Sequence, residues 1–180
     1  MTLYFITGNK NKFAEVSSIL PNVKQFDIDL PEIQDIDAKE IIKVKLLEAL
    51  NYKKAEFIIE DTSLYLDCLN GLPGPLIKWF MKTIGNEGLF NIAEKLGNTK
   101  AEAKTIIGYT KKANEIYYFE GSIKGIIVSP KGTSGFGWDP IFQPEGFSKS
   151  FAEMTLEEKN RISMRRIALN KLIEFIGVKK

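Results

Sequence analysis

Short apolar segments alternate with amphipathic helical patterns along this chain, and this alternation limits the folds open to it. The strand pattern Leu3–Ile6 leads through a polar turn into a helix pattern with Phe13 and Val16 on its apolar side. A second strand pattern, Val23–Ile28, precedes a helix pattern that begins at Asp37. Strands and helices in this order predict an α/β fold around one sheet.

The second half of the chain places two strand patterns in direct succession, Ala103–Thr110 and Ile116–Val128. A short polar turn joins them, which is typical of an antiparallel hairpin, so we expect a mixed sheet. Earlier, Phe57–Ile59 reads as a short buried strand that ends at the polar residues Glu60–Ser63. No linker, repeat or low-complexity segment interrupts the pattern, and we expect a single α/β domain over residues 1–180.

The composition excludes several kinds of chemistry. The chain has no histidine and one cysteine, which excludes histidine-based catalysis, histidine-bearing metal sites and an internal disulfide. The net charge of +2, from 25 basic and 23 acidic residues, is small for a general nucleic-acid binder. We find no signal peptide and no apolar run long enough to span a membrane. We therefore expect a cytoplasmic protein with no nucleic-acid or membrane partner.

The turn after the first strand pattern carries a hydroxyl, a glycine, an amide and two ammonium groups, on Thr7, Gly8, Asn9, Lys10 and Lys12. A helix start of this composition suits an anion, because its unpaired backbone N–H groups and the helix dipole point there. The turn matches neither the Walker A loop nor the dinucleotide glycine motif. A solvated turn would account for the first three residues, but Lys12 can lean back over the helix start and favours phosphate.

Two acidic residues suggest a metal site. Asp61 follows a buried strand pattern, and the ends of such strands line the ligand crevice of α/β sheets. Together with a second acid such as Glu32 it would suit Mg²⁺, which takes one or two carboxylates and leaves positions for water and phosphate oxygens. The alternative is that Asp61 caps the next turn and that Glu32 is a solvated loop residue.

Three other positions leave two interpretations open. Lys45 lies in the apolar stripe of a helix pattern, so it either extends to water or meets an anion. The aromatic residues Phe136 and Trp138 lie among glycines, and they form either a stacking platform for a base or core contacts that close the loop. Asp139 either accepts a hydrogen bond from a base or ribose or braces the turn.

Six short blocks, taken in order, resemble the inosine triphosphate pyrophosphatase family over almost the whole chain. They read T-G-N-x-x-K, L-P-E-x-Q, E-D-T-S-L, N-G-L-P-G-P-x-I-K-W-F, F-G-W-D-P-x-F-Q-P and E-K-N-x-x-S-x-R. The family hydrolyses non-standard purine nucleoside triphosphates such as ITP, dITP and XTP to the monophosphate and pyrophosphate. The resemblance implies an elongated mixed sheet with flanking helices, two lobes around a central nucleotide cleft, Mg²⁺ as cofactor, and a homodimer.

The resemblance also implies a role for each matching residue. The implied catalytic residues are Asp61 as proton acceptor, Lys12 and Glu32, and the implied Mg²⁺ ligands are Glu32 and Asp61. The implied nucleotide-binding residues in the first half are Thr7, Gly8, Asn9, Lys12, Lys45, Asp61, Thr62 and Lys78. Those in the second half are Phe136 as the stacking ring, Gly137, Trp138, Asp139, Lys159, Met164 and Arg165.

One position departs from the family pattern. The final family block reads S-H-R, and this chain has Met164 in place of the histidine that frames the 6-keto edge of the purine. A thioether is only a weak acceptor, so we expect weaker base discrimination, carried by Arg165, backbone N–H groups near Asp139 and pocket shape. Two alternatives are a Maf-like nucleotide pyrophosphatase with another base preference and a nucleotide-binding module without activity.

Overall fold

The computed structural model describes residues 2–177 of the 180-residue chain. The strands within them are β1 Leu3–Ile6, β2 Lys24–Phe26, β3 Glu56–Leu66, β4 Pro73–Gly74, β5 Lys100–Lys112, β6 Glu115–Ile127 and β7 Phe142–Pro144. The α-helices are α1 Lys10–Ile19, α2 Ala38–Tyr52, α3 Ile77–Thr83, α4 Gly85–Lys95, α5 Leu156–Ile162 and α6 Met164–Ile176. None of the helices described is long and apolar enough to cross a bilayer.

The strands form one mixed sheet, which confirms the predicted fold class. Its order is β2-β1-β3-β5-β6-β7, with β4 paired to β3 outside this path. β1 is parallel to both β2 and β3, whereas β4 is antiparallel to β3 and β7 is antiparallel to β6. β5 and β6 are neighbours joined by residues 113–114, so the predicted hairpin is present. β2 is shorter than its prediction, with three residues.

The third strand corrects its prediction. The polar residues from Glu60 to Ser63 were expected to end the strand, yet β3 continues through them to Leu66. The Glu60 side chain is only 2% exposed, and ion pairs with Lys12 and Arg165 offset the cost of burying its charge. Asp61 therefore lies inside a strand and not beyond its end.

Local capping signals set the starts of two helices. Asp37, where the helix pattern was predicted to begin, caps α2, because its carboxylate accepts the N–H of Lys39 at 2.9 Å. Thr155 and Glu158 form the full capping box at the start of α5, with bonds of 3.1 and 2.7 Å. This capping box fixes the start of α5, the helix that carries Lys159.

The described chain divides into two compact units. The first unit comprises the residues up to 61, residues 105–121 and those from 165 onward. The second unit comprises residues 62–104 and 122–164. Residues of β3, β5 and β6 belong to both units. The expectation of a single domain stays a prediction.

Each unit has its own apolar core. In the first unit, Ile58 packs in a cluster with α1 and α6, while its neighbours Phe57 and Ile59 pack in a cluster with α2. The two clusters lie on opposite faces of β3, because successive side chains of a strand point to opposite faces. In the second unit, a single cluster gathers residues of α3, α4 and the segment after β7, including Leu89 and Phe151.

Candidate active site

The turn after β1 is a capped helix start. The Asn9 side-chain oxygen accepts the backbone N–H groups of Asn11 at 2.9 Å and Lys12 at 3.1 Å. The Thr7 hydroxyl oxygen accepts the N–H of Asn9 at 3.1 Å. The expectation of unpaired N–H groups is thus wrong for residues 11 and 12, because Asn9 already binds them. The helix dipole, the Asn9 amide NH₂ and Lys12 remain as the groups that favour an anion at this turn, and anion binding there stays a prediction.

The end of β2 holds this turn from the other side. The Gln25 side chain donates to the Thr7 carbonyl at 2.8 Å, and the Thr7 N–H donates to the Phe26 carbonyl at 3.3 Å. A Cβ atom at Gly8 would lie 3.0 Å from a carboxylate oxygen of Asp27, so glycine allows this close approach. The sequence pattern did not single out Asp27, which lies within the predicted strand Val23–Ile28 and directly after the observed β2.

Lys12 reaches a buried ion cluster in the first unit. Its Nζ lies 3.3 Å from Glu60 Oε1, and its side chain is 24% exposed. The Arg165 guanidinium binds the same carboxylate through two bonds of 2.7 and 2.8 Å and also contacts Glu15. This bidentate geometry is the strong form of the arginine–carboxylate pair. We call Lys12, Glu15, Glu60 and Arg165 the buried ion cluster.

Opposite charges within the buried ion cluster hold Glu60 and Arg165 in their ionised forms. Burial acts to raise the pKa of the Glu60 carboxyl, but the opposite charges of Arg165 and Lys12 outweigh burial and lower that pKa to about 2. Burial likewise acts to lower the pKa of Arg165, and the two carboxylates reverse this and raise it above its ordinary value. Two cations and two anions therefore balance one another.

The sequence pattern did not identify Glu15 or Glu60 as site residues. Arg165 was expected to contact the nucleotide, and the structure places it with a side chain 1% exposed against Glu60, from which it is separated by 105 positions in sequence. No local spacing connects residues so far apart. The proposed contact of Arg165 with nucleotide stays a prediction.

Glu32 and Lys45 form a further ion pair in the first unit. Lys45 Nζ lies 2.7 Å from Glu32 Oε1, with side-chain exposures of 19% and 39%. Lys45 thus has a carboxylate as its partner, and its contact with a bound anion stays a prediction. Glu32 is an exposed loop residue that pairs with a half-buried lysine, and its role as a metal ligand stays a prediction.

The donor set limits the metal that the first unit could hold. Among residues 2–177, no group of three or more His, Cys, Asp or Glu side chains could hold a metal ion. Glu32 and Asp61 offer carboxylate oxygens only, which fits Mg²⁺, because Mg²⁺ usually binds one or two carboxylates and keeps waters and phosphate oxygens.

In the second unit, Asp139 braces the loop 135–139. One carboxylate oxygen accepts the N–H of Phe136 at 2.8 Å and the Nζ of Lys159 at 2.7 Å. Asp139 and Lys159 are each 3% exposed. Gly135 has a φ of +76°, and a Cβ atom there would clash with the same carboxylate oxygen. Bracing the turn is therefore what Asp139 does in this structure.

The two aromatic residues of this loop have different surroundings. Trp138 is 7% exposed and packs edge-on against Phe142 with ring centroids 5.6 Å apart, so it is a core residue. Phe136 is half-buried, and Lys159 Nζ lies 4.9 Å from its ring centroid. Only the Phe136 ring of this pair has substantial exposure. Its stacking on a base stays a prediction.

The loop has one polar neighbour that the sequence pattern missed. Asn86, at the start of α4, donates its side-chain N–H to the carbonyl of Gly137 at 3.1 Å. This bond fixes the orientation of the Gly137 carbonyl group in the exposed part of the loop. The signal for it was absent from the sequence, because the two residues are 51 positions apart.

The remaining predicted contacts are spread over several elements. Met164 is 1% exposed within the apolar cluster of the second unit. Lys78 is exposed on α3, with its Nζ 5.8 Å from the Trp79 ring centroid. Thr62 is half-buried in β3. Their contacts with nucleotide stay predictions.

Comparison with known sequences supports the resemblance. A sequence profile of the Ham1 family matches residues 3–175. The inosine triphosphate pyrophosphatase of Schizosaccharomyces pombe is 42% identical over 183 aligned residues, covering 99% of this chain and 97% of the relative. That of Emericella nidulans is 44% identical over 179 residues, covering 97% of this chain and 96% of the relative.

Comparison with solved structures agrees. The Staphylococcus aureus Ham1 protein superposes with a TM-score of 0.81 at 27% identity, covering 99% of this chain and all 100% of that one. A nucleoside-triphosphatase/dITP/XTP pyrophosphatase from Mycobacterium abscessus superposes with a TM-score of 0.74 at 26% identity. That match covers 96% of this chain and 99% of the other.

Proposed function

Because the chain belongs to the Ham1 family, we propose that it hydrolyses the non-standard purine nucleoside triphosphates ITP, dITP and XTP to the monophosphate and pyrophosphate. The observation that carries this proposal is the match over 99% of the chain to an inosine triphosphate pyrophosphatase. The protein is thus a hydrolase of a phosphoric anhydride bond. The arrangement of lysines and carboxylates in the first unit supports the same activity.

The reaction is the attack of water on the α-phosphorus. The new bond joins the water oxygen to that phosphorus, the bond to the bridging oxygen breaks, and pyrophosphate leaves. Asp61 accepts the proton that the water gives up, since the chain has no histidine to serve as a base. Phosphoryl transfer depends mainly on positioning and charge neutralisation, which suits a site built from lysines and carboxylates.

The first unit supplies the groups that bind the triphosphate. Lys12 and Lys45 neutralise phosphate charge, while Thr7 and Asn9 position the chain of phosphates beside the start of α1. Glu32 and Asp61 would hold Mg²⁺, which when bound supplies positive charge that offsets the phosphate oxygens. Lys45 keeps Glu32 ordered, because the two side chains form an ion pair of 2.7 Å.

We assign recognition of the base to the loop 135–139 and to Met164. Phe136 stacks on the purine, and the loop braced by Asp139 presents backbone N–H groups toward the 6-keto oxygen. An adenine would place its amine against these donors, and a buried donor without an acceptor is costly. With Met164 in place of the family histidine, we expect weaker discrimination between ITP and ATP than in relatives that have it.

Homodimer formation in the cytoplasm is part of the same proposal. The segment around α3 exposes three large apolar side chains, Leu72 at 45%, Trp79 at 44% and Ile84 at 40%. Exposed apolar surface of this kind is what a homodimer interface covers. Light scattering on the purified protein gives the mass, and a mass of one chain would contradict the dimer.

A panel of nucleoside triphosphates, assayed with Mg²⁺ for released pyrophosphate, tests the proposed activity. We expect kcat/KM to be highest for ITP, dITP and XTP. A preference for pyrimidine or otherwise modified nucleotides would favour the Maf-like alternative. If the wild type shows no turnover while it and the Asp61→Asn variant bind ITP equally well, the protein is a binding module.

A further inference from the structure

The geometry points to Glu60 as the positioning residue of the triphosphate site, because its buried carboxylate holds the Lys12 ammonium in place. The inference rests on the proposed function, in which Lys12 binds phosphate. Glu60 itself does not touch substrate in this account. It acts through Lys12, and Arg165 makes that action possible.

The Glu60 carboxylate contacts the Lys12 ammonium directly. Lys12 Nζ lies 3.3 Å from Glu60 Oε1, where the glutamate side chain is 2% exposed and the lysine side chain is 24% exposed. The ammonium therefore has a fixed partner on its buried side and access to solvent on the other. A lysine has large rotamer freedom, and a contact that orders it before the substrate arrives removes this cost from binding.

The carboxylate of Glu60 is shared between two cations. A carboxylate beside Lys12 would by itself repel phosphate, and a neutral Lys12–Glu60 pair would attract it weakly. The Arg165 guanidinium binds Glu60 through two bonds of 2.7 and 2.8 Å, so Lys12 does not balance the charge of Glu60 alone. The solvent-facing side of the Lys12 ammonium can therefore still meet an anion.

The competing explanation is that Glu60 has a purely structural role. A comparison with Glu15 distinguishes this explanation from the positioning role. Both glutamates are buried and both pair with Arg165, yet among these contacts only that of Glu60 extends to Lys12. Glu15→Gln and Glu60→Gln should therefore destabilise the fold in similar ways. Only Glu60→Gln should change how Lys12 meets phosphate.

The test is a double-mutant cycle of Glu60→Gln with Lys12→Met, and a matched cycle of Glu15→Gln with Lys12→Met. Steady-state kinetics with ITP and Mg²⁺ give kcat and KM, and calorimetry with inorganic tripolyphosphate gives Kd without turnover. Thermal unfolding reports the stability of each variant. If Glu60→Gln does not fold, Glu60→Asp replaces it, since aspartate keeps the charge for Arg165 and shortens the reach to Lys12.

We expect Glu60→Gln to raise KM and the tripolyphosphate Kd about tenfold. This factor corresponds to the conformational entropy that a lysine side chain loses when it becomes fixed during binding. In the Lys12→Met background, Glu60→Gln should change KM and the tripolyphosphate Kd by no more than about twofold. Glu15→Gln should have the same effect in both backgrounds. Loss of active fold alone would lower kcat and leave KM unchanged.

Two results overturn the inference: Kd unaffected by Glu60→Gln, or effects of Glu60→Gln and Lys12→Met that simply add. Failure of the proposed function looks different. In that case the wild type would bind tripolyphosphate without hydrolysing ITP, and the binding cycle would still decide the role of Glu60.

Discussion

Lys10 and Lys12 lie two positions apart at the start of α1, and the structure gives them different surroundings. Lys12 contacts the buried carboxylate of Glu60, whereas Lys10 is exposed at the helix start. The family blocks match Lys12 and leave Lys10 unmatched. The two residues thus form a matched pair, in which one ammonium belongs to the proposed site and the other does not.

Replacing each lysine by alanine tests this difference. Lys12→Ala should lower kcat/KM for ITP about 100-fold, the size typical of a lost group that stabilises transition-state charge. Lys10→Ala should stay within about twofold of wild type, as exposed substitutions usually do. Pyrophosphate release from ITP measures both. Equal losses would mean that the geometry of the opening turn is misassigned.

A substitution at Met164 tests whether this position contributes to discrimination between purine bases. Met164→His restores the family residue, so the ratio of kcat/KM for ITP to that for ATP should rise. Because Met164 is 1% exposed, the imidazole would be buried, and the free energy of unfolding should fall by about 1–3 kcal/mol. Steady-state kinetics and urea unfolding measure the two effects. An unchanged ratio would remove position 164 from the account of discrimination.

At the scale of the elements, the loop 135–139 depends on two glycines with different requirements. Gly135 and Gly137 have φ angles of +76° and +64°. A Cβ atom at Gly135 would clash with Asp139, whereas nothing lies within 4 Å of a Cβ atom at Gly137 in the described structure. Both positions favour glycine for their backbone, but only Gly135 also needs it for space.

The alanine variants of these glycines separate the two requirements. Gly137→Ala should cost about 1 kcal/mol of unfolding free energy, from the left-handed backbone alone. Gly135→Ala should cost about 1–3 kcal/mol more unfolding free energy than Gly137→Ala, because the added methyl group displaces the Asp139 carboxylate. Urea unfolding of the two variants gives the difference. Equal costs would show that the loop yields at Asp139 without penalty.

The elements differ in how well local sequence predicts them. The start of α5 was predictable, because the capping box joins Thr155 to a residue three positions away. β3 was not, because the residues that keep Glu60 inside the strand come from α1 and α6. Periodicity and capping are local signals, and they carry no information about partners 105 positions distant.

At the scale of the whole molecule, the fold class and the family were predictable, while the partners of the site residues were not. The order of apolar patterns gave the mixed sheet, and the six blocks identified the family. The ion pairs of Glu32, Glu60 and Asp139 depend on packing between distant elements. Bracing of the turn by Asp139 was one of the two sequence-based interpretations, but its partner Lys159 and the pairs of Glu32 and Glu60 were not predicted.

The buried ion cluster makes the stability of the molecule depend on pH. The pKa of Glu60 is about 2 in the folded protein and 4.5 ordinarily. The folded protein thus binds this proton less tightly than the unfolded chain, so its stabilisation is complete above the ordinary pKa and is lost as the pH falls toward 2. Unfolding free energy should therefore decrease over this range.

Urea unfolding from pH 7 to about pH 2 without metal measures the effect. Glu60→Gln has no carboxyl to titrate, so its unfolding free energy should decrease less steeply over the same range. Other carboxylates contribute to both proteins and cancel in the comparison. Parallel curves for wild type and variant would show that Glu60 does not carry this dependence.

The proposed activity depends on cleavage of ITP between its α- and β-phosphates. A ³¹P NMR spectrum of ITP incubated with the protein and Mg²⁺ identifies the products directly. We expect IMP and pyrophosphate in equal amounts, and loss of both signals with Asp61→Asn. Formation of IDP and orthophosphate, or an ITP spectrum that does not change with time, would contradict it.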